Sequence, residues 1–101
     1  MKYEKMTCID CLAVPNDEAF LLFHEDAHGY WWYETIRTDT LNPQLMEIMK
    51  YLKDSGCDNF KQLIGKPARL YYRVCDPLTR KIHVHGRVPL RKVVKSVGVE
   101  V

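Results

Sequence analysis

The chain reads as an α+β fold: a mostly antiparallel sheet of four to six strands with one main helix packed across one face. Three observations point there. Short runs rich in aromatic and β-branched residues are bounded by Pro, Asn, Asp and Gly. A single segment beginning at Asn42 carries a full set of helix signals. Two segments after residue 66 alternate between apolar and basic side chains. The chain has 101 residues, with no repeat and no linker-like stretch, so residues 1–101 are expected to form a single domain.

Residues 6–14 suit a first strand, ended by Pro15-Asn16-Asp17. Residues 16–37 admit two readings. In the first, strands 19–25 and 30–37 form a hairpin across Asp26-Ala27-His28-Gly29, with Gly supplying the positive φ of the turn. In the second, Asn16 caps a helix that Gly29 stops. The aromatic run Tyr30-Trp31-Trp32-Tyr33 favours the hairpin. Next, Asn42 caps and Pro43 occupies the first helical position. Leu45, Ile48, Met49 and Leu52 then recur at helical spacing until Ser55-Gly56. Asp58 opens a short second helix through Leu63. Residues 68–75 and 81–88 then flank a turn at Asp76–Arg80. Leu70, Tyr72, Val74, Ile82, Val84 and Val88 fall on one face. Arg69, Tyr71, Arg73, His83, His85 and Arg87 fall on the other. A last strand is expected around 92–97.

One helix covers only one sheet face, and the first hairpin is apolar on both. Its spare face must meet a target, a second copy of the chain, or the later strands closing into a barrel. Charge is also unevenly spread. Residues 1–65 carry six Lys/Arg against eleven Asp/Glu, a net −5; residues 66–101 carry nine against two, a net +7. Such asymmetry marks a partner surface, or two halves that neutralise each other. No apolar run approaches the length of a membrane span, and no signal sequence is visible, so a cytoplasmic protein with unpaired thiols is expected.

Three chemical signatures compete for the same residues. Cys8, Cys11, His24 and His28 have the spacing C-x2-C-x12-H-x3-H, and in this the segment 6–28 resembles a C2H2 zinc finger. The resemblance implies zinc held by those four side chains. Pro15 and Met6 stand where that family has aromatic residues. His24-Glu25-Asp26-Ala27-His28 also matches the H-E-x-x-H zinc-hydrolase helix. Third, Cys8 and Cys11 read as half of a site completed by His83 and His85 or another cysteine. All three compete with the plainer expectation that no cofactor is bound.

The functional expectation is a small non-enzymatic binding protein acting by stoichiometric contact, with another protein as partner met through Tyr30, Trp31, Trp32 and Tyr33. A phage- or mobile-element-encoded inhibitor fits this size. The alternative is a nucleic-acid or other anion binder using Arg69, Tyr71, Arg73, His83, His85 and Arg87.

Overall fold

The computed structural model describes residues 2–90. Five strands form a closed barrel. They are β1 (Lys2–Val14), β2 (Ala19–Glu25), β3 (Trp31–Arg37), β4 (Pro67–Asp76) and β5 (Lys81–Pro89), in spatial order β1-β2-β3-β5-β4. One helix, α1 (Pro43–Asp54), and a 3-10 turn at Phe60–Leu63 lie between β3 and β4.

The expected open sheet with a helix across one face is therefore corrected: the sheet closes on itself. Closure follows from the length of β1. Its first half pairs with β4 (Lys2↔Tyr72 to Thr7↔Pro67) and its second half with β2 (Thr7↔Glu25 to Val14↔Ala19). A single parallel bridge, Tyr33↔Lys81, joins β3 to β5 and completes the circuit. The face that an open sheet would leave bare becomes the barrel interior. Met6, Leu22, Ile36, Leu70, Ile82 and Val84 fill it. Of α1, only Ile48 and Tyr51 are fully buried, and Met49, placed on the apolar stripe by its spacing, is exposed.

Local signals worked where the chemistry is local. Asn42 accepts a hydrogen bond from the Leu45 amide, as an N-cap does, and Pro43 follows it. The β2–β3 hairpin forms, with Gly29 at φ +82° in its turn. Asn59, rather than Asp58, caps the 3-10 turn. The strand expected at 92–97 lies outside the described residues.

Two bulges reset the alternation of side chains. In β1 the register jumps from Cys8↔His24 to Asp10↔Phe23, leaving Ile9 unmatched. Met6, Cys8 and Cys11 all face inward as a result. In β5 it jumps from Tyr71↔Gly86 to Tyr72↔Val84, leaving His85 extra. Ile82, Val84 and Arg87 are buried, while His83 and His85 are exposed. Arg87 was expected outside with the histidines. The added residue turns it into the core, and Val88, expected on the apolar face, leaves the interior.

Candidate functional site

Arg87 inside the barrel anchors a buried ionic network. Its guanidinium Nη2 lies 2.7 Å from Glu34 Oε1 and 2.8 Å from Glu34 Oε2. Its Nε donates to Glu47 Oε2 at 2.9 Å, and its backbone N–H donates to Glu47 Oε1 at 2.9 Å. His24 Nε2 donates to Glu34 Oε1 at 3.2 Å and Gln44 Nε2 to Oε2 at 3.4 Å. The network ties α1, through Gln44 and Glu47, to β2, β3 and β5. Burial alone would push the Glu34 carboxyl up, but the Arg87 charge and the His24 hydrogen bond outweigh it and hold the group down at about 2. Burial raises Glu47 above its ordinary value, and its share of Arg87 does not fully offset this.

The two carboxylates have opposite effects on acid stability. Glu34, depressed when folded, stabilises the fold above pH ~4.5, its ordinary range. That contribution is lost as pH falls towards about 2. Glu47, raised when folded, contributes below its ordinary range and loses that contribution as pH rises through its folded value. Urea midpoints of the wild type and Glu34→Gln, measured from pH 7 to pH 2, should therefore converge on acidification. Parallel curves would contradict the assignment. An enclosed space beside the network is bordered by Met6, Cys8, His24, Tyr51 and Arg87. It has room for about one water.

The proposed zinc ligands are not brought together. Cys8 and His24 are cross-strand partners inside the barrel, and Cys11 lies farther along β1 opposite Leu22. His28 is exposed in the hairpin turn. With β2 a strand, the helix that the finger and the zinc-hydrolase signatures both require is absent. His83 and His85 are on the outer side of the wall whose inner side carries the cysteines. Among the described residues no group of three or more His, Cys, Asp or Glu is placed to hold a metal. Burial pushes the Cys8 thiol up to about 12 and raises Cys11, the reverse of what a thiolate ligand or redox cysteine needs.

Two outer surfaces remain. The first is the outward face of β1, β4 and β5. Tyr3 and Tyr71 are cross-strand partners with ring centroids 5.7 Å apart. The Arg69 guanidinium lies 5.3 Å from the Tyr3 ring centre. Lys5 pairs across the sheet with Arg69, and Arg73 with His83. The His83 and His85 rings are 4.8 Å apart. Partial burial, then His83 and Arg73, lower the pKa of His85. The outward positions Tyr3, Lys5, Thr7, Arg69, Tyr71, Arg73, His83 and His85 include no carboxylate, while Asp10 farther along β1 and Asp76 at the end of β4 are exposed at the borders of this stretch. Tyr3 and Lys5 escaped the sequence reading because β1 was started at residue 6; continuing its alternation upstream would have found them.

No protein-family model, curated protein or solved structure matches this chain. Its chemistry has to be read from its own surfaces.

The second surface is the rim where the β2–β3 and β4–β5 turns meet. The Arg80 guanidinium lies 4.1 Å from the Trp32 ring centre and 4.6 Å from that of Tyr30. The Tyr33 amide donates to the Arg80 carbonyl. Trp31 and Tyr30 are more than half exposed, Trp32 and Tyr33 partly buried. The sequence thus located this aromatic group, but Arg80 joins it only because the barrel closes. Among the described residues, no helix is long and apolar enough to cross a membrane.

Proposed function

We propose that the protein binds single-stranded nucleic acid along the outward face of β1, β4 and β5. The observation that carries this reading is the cross-strand pairing of like charges where β1 meets β4, a stretch whose outward positions carry no carboxylate. Lys5 sits opposite Arg69, an arrangement that costs stability in a sheet unless an anion lies between. Arg73 lies opposite His83 on the neighbouring strand pair. Arginine forks suit phosphates, and Tyr3 and Tyr71 offer ring faces to bases. The connectivity gives secondary support. A closed barrel ordered β1-β2-β3-β5-β4, with its helix between β3 and β4, is that of the OB-fold, which hosts oligonucleotide binders, though these use the β2–β3 face and the β1–β2 and β4–β5 loops, so the likeness supports the ligand class and not the face. Connectivity alone carries no activity; the charge pattern does.

The test is fluorescence anisotropy with a labelled twenty-nucleotide oligo-dT or oligo-rU across a salt series. Affinity should fall with salt by about 0.7 log units per log unit of salt for each phosphate contacted. The triple variant Lys5→Ala/Arg69→Ala/Arg73→Ala should flatten that slope by about 2. Tyr71→Ala should weaken binding by about 1–3 kcal/mol, the worth of one stacked base. Binding that keeps its slope in the triple variant would refute the reading. Arg87 is left out of the variant because it is interior, and its loss would report folding.

A further inference from the structure

We infer that the rim formed by Tyr30, Trp31, Trp32 and Arg80 is a separate docking site for a partner protein. Its occupant is a largely apolar segment that presents a single carboxylate to Arg80 and an apolar side chain to the exposed rings of Tyr30 and Trp31. This rests on different residues from the nucleic-acid face.

Arg80 is set up as an anion receptor without an anion. Its backbone holds φ +61°, the left-handed region, fixed by its N–H donating to the Asp76 carbonyl and its carbonyl accepting from Tyr33. Its guanidinium lies against two aromatic rings, which orient the fork and partly desolvate it. No carboxylate among the described residues pairs with it. The nearby acids are otherwise engaged. Asp26 accepts from the Trp32 indole and from the amides of His28 and Tyr30. Asp76 accepts from the amides of Leu78 and Thr79. Glu25 accepts from the Trp31 indole.

The same acids decide the kind of partner. Glu25, Asp26 and Asp76 outnumber Arg80 and Lys81 here, so the rim is net negative, unlike the basic stretch where β1 pairs with β4. A polyanionic strand would be repelled along most of its length. A ligand with one negative group and an apolar body matches one guanidinium stacked on the Tyr30 ring, itself 57% exposed, with the exposed Trp31 next along the chain and the exposed Leu78 in the β4–β5 turn. Exposed Trp, Tyr and Arg in one patch are also the side chains that dominate protein–protein binding energy.

The experiment pans a displayed library of random twelve-residue peptides on the full chain. Enriched peptides, resynthesised, are then titrated against variants. Enriched sequences should carry Asp or Glu within three residues of an apolar or aromatic side chain. Arg80→Gln and Trp31→Ala should each weaken them at least tenfold. Arg80→Lys, which keeps the charge but loses the fork, should weaken them too, and the Lys5/Arg69/Arg73 triple variant should not. Circular dichroism checks that each variant folds, and exposed Trp31 serves as the second probe if Arg80 variants do not. Failure to enrich any peptide, or enriched peptides indifferent to both Arg80→Gln and Trp31→Ala, overturns the inference. So does loss of oligonucleotide binding in those two variants by the same factor as in the triple variant, which would place the strand on the rim. Loss of oligonucleotide binding in the triple variant alone leaves peptide docking standing, so the two readings fail separately.

Discussion

Arg87→Met should cost about 3–5 kcal/mol of folding stability, the usual result of removing one partner from a buried ion pair. The mechanism is an orphaned carboxylate. Glu34 is fully buried and depends on Arg87 for contacts to both of its oxygens. His24 and Gln44 remain, each through a single longer contact. Glu47 would lose its cation as well and would relax outwards, since it is only partly buried. A domain of this size has about 5–15 kcal/mol in total, so the variant should be marginal at room temperature. Urea unfolding monitored by tryptophan fluorescence measures the loss. The double variant Glu34→Gln/Arg87→Met separates pair from packing. With the carboxylate neutralised, much of the cost should return, because a neutral amide is far cheaper to bury than an unpaired charge. A single-variant cost under about 1 kcal/mol would mean that Arg87 is not interior, and the bulge at His85 would be misplaced.

That bulge marks the boundary of what the sequence could say. Period-two reasoning sorted Arg69, Tyr71 and Arg73 correctly onto the outer face, because β4 runs without interruption through them. It sorted His83 and His85 correctly and Arg87 incorrectly, because one unmatched residue on β5 shifts every later side chain. The same event at Ile9 turns Cys8 and Cys11, whose spacing in the sequence reads as a metal knuckle, into core residues on one side of a bent strand. A bulge depends on which strand lies opposite, so no local pattern announces it. The network has the same origin. Glu34 and His24 stand at inward phases of their strands, which two apolar hairpin faces conceal in the sequence, and the partners of Glu34 lie 53 residues away at Arg87 and 10 residues away in helix α1. The Asn42 cap and the hairpin turn, which need only neighbours along the chain, were legible, and the cap of the 3-10 turn was read one residue early.

The hairpin's orientation was not legible either, because both its faces are apolar, and this gives the second large effect. Leu22 and Ile36 are fully buried and face the barrel interior, while Leu21, Phe23 and Tyr33 border an open outer groove with Thr35 and Arg37. Leu22→Ala should therefore cost about 2–5 kcal/mol, through lost burial and the cavity left behind. Leu21→Ala, one residue away and chemically identical, should cost about 1 kcal/mol or less, since its site stays partly wet in the folded state. In an open sheet whose spare hairpin face met a helix, the two costs would be close. In a closed barrel they must differ, because only one face of each strand sees the interior. Chemical denaturation of the two variants side by side tests closure without a further structure. A larger loss for Leu21→Ala than for Leu22→Ala would invert the hairpin. It would bring Phe23 and Tyr33 inside, put Glu34 in water, and leave Arg87 with no buried carboxylate on β3 to pair with.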